Sequence, residues 1–143
     1  MTVAGQCVGS IGQGLLALVA IEKGDTLEEA RKLSERMLGY RIFPDSEGKM
    51  NLGLREIGGE LLLISQFTLA AETQKGLRPS FTPAADPEIA QSLFNGLHEI
   101  LKQQPIRMAT GVFGADMQVH LINDGPVTFH LRVAPRPQAS LSK

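Results

Sequence analysis

The sequence predicts a single α+β domain over residues 1–133, in which two helices pack on a mostly antiparallel, barrel-like sheet. Two segments carry apolar residues at helical spacing. The other apolar residues form short runs or alternate with polar residues, which is typical of strands. Glycine and proline separate these segments, and no internal repeat divides the 143 residues. These features favour strands and helices that share one core.

The first elements predicted along the chain are short hairpin strands, a buried strand and a helix. Glycines punctuate the opening residues, and the run Leu15–Ile21 is apolar throughout, as in a buried strand. Thr26 and Glu29 have the spacing of a capping box. The apolar stripe that follows predicts a helix as far as Gly39.

The middle of the chain predicts two more strands and a long loop. Tyr40–Phe43 is a short strand candidate, and Glu60–Leu69 begins apolar on both faces, as a central strand should. Residues 70–85 are interrupted by glycine and proline, which predicts a loop. A loop of this length inside a compact domain is often functional.

A second helix and a hairpin complete the predicted domain. Asp86 is the candidate N-cap of a helix whose apolar face extends to Leu101. Met117–Ile122 and Val127–Val133 are predicted to pair as antiparallel strands, since the second alternates cleanly between apolar and polar residues. Residues 134–143 are predicted to be a disordered tail.

Composition and charge exclude several classes of protein. Lys and Arg number 14 against 15 Asp and Glu, a net charge of −1, which argues against a broad positive surface for duplex nucleic acid. Cys7 is the single cysteine, so neither an intrachain disulfide nor a cysteine-rich zinc site is expected. The early apolar run is too short to span a membrane, and no secretory signal is visible. We therefore expect a cytoplasmic protein that does not enter a membrane.

Taken one by one, the polar side chains permit a catalytic and a structural interpretation. Ser65 and Thr68 end an apolar strand, but a hydroxyl needs a base within reach to act as a nucleophile, and no histidine is near in sequence. Lys75 and Arg78 have the character of solvated loop charges. The three histidines favour surface packing over zinc binding, because they lack a thiol or carboxylate pattern. The residues alone therefore predict an α+β domain with one long loop.

Three stretches taken together resemble D-aminoacyl-tRNA deacylases. They are Ser65–Ala70, Leu77–Phe81 and Asn123–Phe129, in that order. The similarity extends from Thr2 to about Val133, and three further segments also fit: Leu38–Phe43, Gly48–Leu52 and Gly111–Gln118.

This resemblance implies a homodimer that hydrolyses the ester between a D-amino acid, or mischarged glycine, and the terminal adenosine of tRNA. It implies neither a metal nor an organic cofactor. The catalytic stretch is implied to consist of Ser65, Gln66, Phe67 and Thr68. Lys75 and Arg78 become candidate contacts to tRNA phosphates.

The family implies that this stretch faces a loop from the other subunit, formed by Gly125 and Pro126 with a cis peptide bond. Backbone carbonyls of the loop would hold the substrate ammonium group, so that an L side chain would collide with the loop. Glycine has no Cβ and would not be rejected.

For the reaction itself we expect direct attack by water, with backbone N–H groups near Phe67 stabilising the oxyanion. A covalent role for Thr68 is the alternative. Family members also begin with a further N-terminal strand, which is absent from this sequence. The competing interpretation is a shortened relative that binds the acceptor end of tRNA without catalysis, and an unrelated serine or threonine esterase is a third.

Overall fold

The computed structural model describes residues 1–135, so the predicted disordered tail lies, from residue 136 onward, outside the described residues. The α-helices of this part are α1 (Leu27–Gly39) and α2 (Pro87–Lys102), and a 3₁₀ helix covers Phe67–Ala70. Its strands are β1 (Thr2–Val3), β2 (Gln6–Cys7), β3 (Gly14–Val19), β4 (Phe43–Pro44), β5 (Met50–Leu52), β6 (Glu60–Ser65), β7 (Met108–Thr110) and β8 (Met117–Gln118).

The central sheet is parallel, with the strand order β3-β6-β7. The prediction of two helices in an α+β fold is confirmed, but the prediction of a mostly antiparallel sheet is wrong. A parallel pair needs a long connection, and the segments that join these strands contain α1 and α2. The continuous apolar runs of β3 and β6 are typical of parallel strands that are covered on both faces.

Strand β6 divides the core into two parts. Leu61 and Leu63 are fully buried on the face that packs against both α-helices. Leu62 and Ile64 point the other way and pack with Met1 and its neighbours. A strand with both faces buried cannot slip by one residue without burying the wrong side chains, so the position of its end is fixed.

The remaining sheets are small and antiparallel, with the orders β2-β1-β8 and β4-β5. The sheet around β1 covers the Leu62 and Ile64 face of the central sheet. Across residues 1–135 the three sheets remain separate, so the predicted barrel-like closure is wrong.

The predicted C-terminal hairpin is also wrong. The strand expected at Met117–Ile122 is limited to β8, which pairs with β1, and residues 127–133 form no strand in the described chain. A strand requires a neighbour that satisfies its backbone N–H and C=O groups. Only part of the alternation of Val127–Val133 remains in its burial, because Val127, Leu131 and Val133 are half-buried whereas Phe129 is exposed.

Helix α1 begins at the predicted capping box. The Thr26 hydroxyl accepts a hydrogen bond from the Glu28 N–H at 3.2 Å, and the Thr26 N–H donates to the Glu29 carboxylate at 2.6 Å. These bonds satisfy backbone groups that the first helical turn leaves without partners. They also hold the pKa of the Glu29 carboxyl below its ordinary value, chiefly through the Thr26 hydroxyl.

Replacing Thr26 by alanine should lower the free energy of unfolding by about 1 kcal/mol at neutral pH, because the cap is lost. The folded pKa of Glu29 is depressed, so its contribution is fully present above about pH 5 and fades as the pH falls through the folded pKa. Urea unfolding should therefore show a smaller difference in the free energy of unfolding between wild type and Thr26→Ala at acidic pH than at neutral pH.

The control for this prediction is Glu35→Ala, which removes an exposed carboxylate from the same helix. It should change the free energy of unfolding by no more than about 0.5 kcal/mol. An equal gap between wild type and Thr26→Ala at both pH values would contradict the role given to the Glu29 carboxylate.

Candidate active site

The candidate site begins where β6 leaves the core. Ser65 ends the strand, and the Gln66 N–H makes a last hydrogen bond to the Val19 carbonyl of β3 at 2.7 Å. The chain then turns into the 3₁₀ helix, and Phe67 and Thr68 are exposed. The strand predicted over Glu60–Leu69 thus ends four residues early, at Ser65, and Phe67–Ala70 form the 3₁₀ turn.

Thr68 is paired with an amide. The Gln66 side-chain Nε2 donates a hydrogen bond to the Thr68 hydroxyl oxygen at 2.7 Å. An amide nitrogen has no lone pair available to take the hydroxyl proton, so Gln66 cannot activate Thr68 as a general base. Within residues 1–135 the Thr68 side chain contacts no histidine or carboxylate through a hydrogen bond.

The 3₁₀ turn leaves backbone donors unoccupied. Neither the Phe67 N–H nor the Thr68 N–H donates a hydrogen bond to another group of the described chain. The first N–H groups of a helical turn have no partner within the turn itself. Two adjacent donors on an exposed turn can bind an oxygen that carries negative charge.

An aromatic pair joins this turn to the long loop. The Phe67 and Phe81 rings lie with centroids 5.1 Å apart and planes tilted by 58°, a favourable geometry for two aromatic rings. Both rings are partly exposed, at 59% and 40%. The sequence alone does not indicate this role for Phe81, since only the fold brings its ring onto Phe67.

The 70–85 loop has a closed base and an exposed tip. Glu72 and Ser80 exchange two backbone hydrogen bonds, at 2.7 and 3.1 Å, which close the base. Lys75 and Arg78 lie on the tip between them, exposed and without an ion pair in the part of the chain that the structure describes. Both cationic groups are therefore available to an external anion.

Gly125 and Pro126 lie in a C-terminal arm, which we define as residues 119–135. Their peptide bond is cis. The Gly125 N–H donates to the Asn123 carbonyl at 2.9 Å, and the Asn123 side-chain amide donates to the Thr128 hydroxyl at 3.1 Å. A Cβ at Gly125 would overlap the backbone nitrogen of Val127. Position 125 therefore has room for glycine alone unless the loop shifts.

The C-terminal arm is attached through side chains. Strand β8, just before the arm, pairs with β1. Within residues 1–135 the arm itself makes no backbone-to-backbone hydrogen bond to the rest of the chain. Its Phe129 ring lies 5.8 Å from the Tyr40 ring, and Leu131 packs against the main core. The Arg132 guanidinium forms an ion pair with Glu22 at 2.8 Å.

Glu22 lies in an acidic corner between β3 and α1. Its N–H donates to the Asp25 carboxylate at 2.8 Å. Burial raises the pKa of the Asp25 carboxyl, and the nearby carboxylates of Glu22 and Glu29 add to this effect, while the Glu22 N–H and Arg132 oppose it. Arg132 thus supplies positive charge to the carboxylates of Glu22 and Asp25. This pair gives no signal in the sequence, because 110 positions separate its members.

In one chain the predicted site residues lie in two separate places. Ser65, Gln66 and Phe67 line a hollow of about 20 Å³ between β3 and α2, which is room for about one water molecule. Gly125 and Pro126 line a different, wide groove between the C-terminal arm and β3, which Leu69 and Ala70 at the end of the 3₁₀ turn also line but Ser65–Thr68 do not. A single described chain therefore does not bring the strand end and the glycine-proline loop into one pocket.

Two further features of residues 1–135 bear on the class of protein. No group of three or more histidine, cysteine, aspartate or glutamate side chains is arranged to hold a metal ion. None of the helices there is both long enough and apolar enough to cross a membrane.

Comparison with known proteins gives matches over nearly the whole chain. Residues 1–132 match the family described as D-Tyr-tRNA(Tyr) deacylase. The D-aminoacyl-tRNA deacylase of Methylococcus capsulatus is 62% identical over 133 residues, which cover 93% of this chain and 87% of the relative. That of Pseudomonas putida is 57% identical over 131 residues, which cover 92% and 90%.

Solved structures agree on the fold. A protein described as c-Myc DNA Unwinding Element Binding Protein superposes with a TM-score of 0.88 at 36% identity, over 94% of this chain and 91% of that one. A probable eukaryotic D-amino acid tRNA deacylase superposes with a TM-score of 0.65 at 16% identity, over 80% and 82%, and shows similarity of fold alone.

Proposed function

The chain belongs to the D-Tyr-tRNA(Tyr) deacylase family, and we propose from this premise that it hydrolyses D-aminoacyl-tRNA at the turn after β6, with Gly125 and Pro126 as the filter that rejects L substrates. The match over residues 1–132 carries the proposal. The products are the free D-amino acid and tRNA, and glycine mischarged on tRNA is a second substrate. The reaction takes place in the cytoplasm.

The filter works by exclusion. A D and an L substrate differ only in the direction of the side chain once the ester and the ammonium group are held. The narrow space at Gly125, where even a Cβ would overlap Val127, supports a stiff wall at this position. A side chain directed at the wall is rejected, whereas one directed away is accepted. Glycine passes because it has no side chain.

Water is the attacking group in the proposed reaction. The ester carbonyl oxygen accepts hydrogen bonds from the free N–H groups of Phe67 and Thr68, which stabilise the oxyanion as water adds to the carbonyl carbon. Collapse of the intermediate breaks the bond to the ribose oxygen, and that oxygen takes the proton that the attacking water gives up, so that the carboxylic acid and the tRNA hydroxyl are the products. The pairing of Thr68 with the Gln66 amide supports this role for water over a covalent threonine.

The complete site is proposed to form in a homodimer. The 20 Å³ hollow beside Ser65 is too small for an aminoacyl group, and the glycine-proline loop of the same chain lies elsewhere. Leu121, Ile122 and Phe129 of the C-terminal arm are exposed at 58%, 93% and 52%. Such an apolar patch next to the loop is typical of an interface. Two copies related by a two-fold axis would give each turn the loop of its partner.

The acceptor end of tRNA is the proposed macromolecular partner. Lys75 and Arg78 at the tip of the 70–85 loop are proposed to contact its phosphates, since both are exposed and form no ion pair within residues 1–135. A net charge of −1 for the whole chain means that such contacts must be local.

If the protein forms the proposed dimer, its mass in solution should be twice the chain mass of 15.4 kDa. Light scattering at micromolar concentration measures this mass directly. A species of single-chain mass would contradict the shared site.

Replacing Thr68 by alanine should retain turnover, slowed by about tenfold to a hundredfold, because the pocket loses a polar group while water and the N–H donors remain. Thr68→Ser keeps the hydroxyl and should stay close to wild type. The measurement is the single-turnover rate on D-aminoacyl-tRNA. Complete loss in Thr68→Ala, with an acyl-enzyme trapped on the wild type, would instead make Thr68 the nucleophile.

The proposed function is tested by release of amino acid from tRNA charged with a D-amino acid, the matching L-amino acid or glycine. Wild type should release the D-amino acid and glycine and leave the L-amino acid in place. Binding of D-aminoacyl-tRNA without release would instead favour a non-catalytic binding protein.

Gly125→Ala tests the filter in the same assay. It should lower D-substrate hydrolysis by at least about tenfold, because the new Cβ displaces the Val127 backbone. Gly39→Ala is the matched control, since a Cβ there meets no atom within 4 Å, and it should behave as wild type. Unchanged activity and unchanged rejection of the L substrate in Gly125→Ala would refute the filter.

A further inference from the structure

The Glu22–Arg132 ion pair joins the C-terminal arm to the base of the 70–85 loop of the same chain. We propose that this pair holds the arm, and with it Gly125 and Pro126, in one orientation on its own chain, so that the loop enters the partner's site correctly and the pair helps to set the discrimination between D and L substrates. This inference rests on the proposed function. Both residues are positioning residues, since neither is proposed to touch the substrate.

The pair has the geometry of a specific clamp. Arg132 Nε donates to Glu22 Oε1 at 2.8 Å, and Arg132 Nη2 lies 3.5 Å from Glu22 Oε2. The planar guanidinium fork fixes direction as well as distance, which a lysine ammonium does not. Arg36 of α1 adds a hydrogen bond to the Arg132 carbonyl at 3.3 Å. The backbone and the side chain of Arg132 are thus both held.

Glu22 is held by the long loop on its other side. Its neighbour Lys23 donates from the backbone to the Pro83 carbonyl at 2.9 Å, and the Ala85 N–H donates to the Ile21 carbonyl at 3.0 Å. Glu22 itself forms an antiparallel bridge with Ala84. The residue that receives Arg132 is therefore fixed to the end of the loop that carries Lys75.

The arm has little else to fix its position. In the described part of the chain its other attachments are the Tyr40–Phe129 ring contact, the packing of Leu131 and, where the arm begins, the packing of Val119. Arg132 is six positions from Pro126 along the chain. Apolar contacts without a hydrogen-bonded ladder permit sliding, whereas a directional ion pair does not.

The charges around the pair strengthen the preference for arginine at position 132. Arg132 pairs with Glu22 and lies near Asp25, whose carboxylate accepts the Glu22 N–H, while Lys32 lies near Glu29 on the far side of the corner. A neutral residue at position 132 would leave Glu22 and Asp25 close together without this positive partner. The arm would then lack the ion pair that holds it at this corner.

The chain contains a matched control pair. Arg107 Nη1 lies 2.7 Å from Glu60 Oε2, with side chains exposed by 69% and 21%, against 60% and 29% for Arg132 and Glu22. This pair links the start of β6 to the segment before β7, and contacts neither the arm nor the 70–85 loop. The two pairs therefore have similar exposure and differ in what they connect.

The first experiment measures kcat/KM on D- and L-aminoacyl-tRNA for Glu22→Gln, Arg132→Gln, the double variant and Glu60→Gln. Each single variant at the Glu22–Arg132 pair should lose about tenfold in kcat/KM on the D substrate and should discriminate less against L. The double variant should be no worse than either single one, because both act through one contact. Arg132→Lys should recover part of the loss, and Glu60→Gln should match wild type.

The second experiment measures the backbone order parameters of residues 121–131 by NMR relaxation. They should fall from about 0.85 toward 0.6 in Glu22→Gln and Arg132→Gln and stay unchanged in Glu60→Gln. This readout does not depend on activity, so an inactive wild type would refute the proposed function and leave the positioning role testable. Unchanged order parameters, or equal effects from Glu60→Gln, would overturn the inference.

Discussion

The burial of β6 on both faces is the constraint on which the rest of this structure depends. Leu61 and Leu63 pack under the two α-helices, while Leu62 and Ile64 pack toward the small sheet around β1. Each of these side chains must keep its face, so the register of β6 between β3 and β7 is fixed. The helices follow, because parallel strands on this plan need long connections and covered faces.

The candidate site lies at the end of β6, where the chain leaves the buried sheet. After Ser65 the chain leaves the sheet, and its backbone groups no longer have ladder partners, so the N–H groups of Phe67 and Thr68 have no acceptor among residues 1–135. The buried strand therefore serves as a rigid base for an exposed turn. The Phe67–Phe81 ring contact then ties the turn to the 70–85 loop, which carries Lys75.

The C-terminal arm, unlike β6, is held in place by side chains and not by a strand ladder. It has no ladder partner in the described chain and is held by the Glu22–Arg132 ion pair, the Arg36 hydrogen bond to the Arg132 carbonyl, one aromatic contact and the packing of Val119 and Leu131. Arg132 also balances an acidic corner in which burial raises the pKa of Asp25. The position of Gly125 and Pro126 thus depends on side chains, and a shared site between two chains is the arrangement that we propose from it.

The sequence by itself determined the features that depend on neighbours along the chain. It predicted the capping box of Thr26 and Glu29, a second helix that follows Asp86 and the family itself, because capping patterns, helical periodicity and ordered motifs are local signals. Only the tertiary structure decided the parallel pairing of β3, β6 and β7, the missing strand at 127–133 and the Glu22–Arg132 pair. Each of these depends on which segments meet in space, and alternation along one segment does not specify its partner.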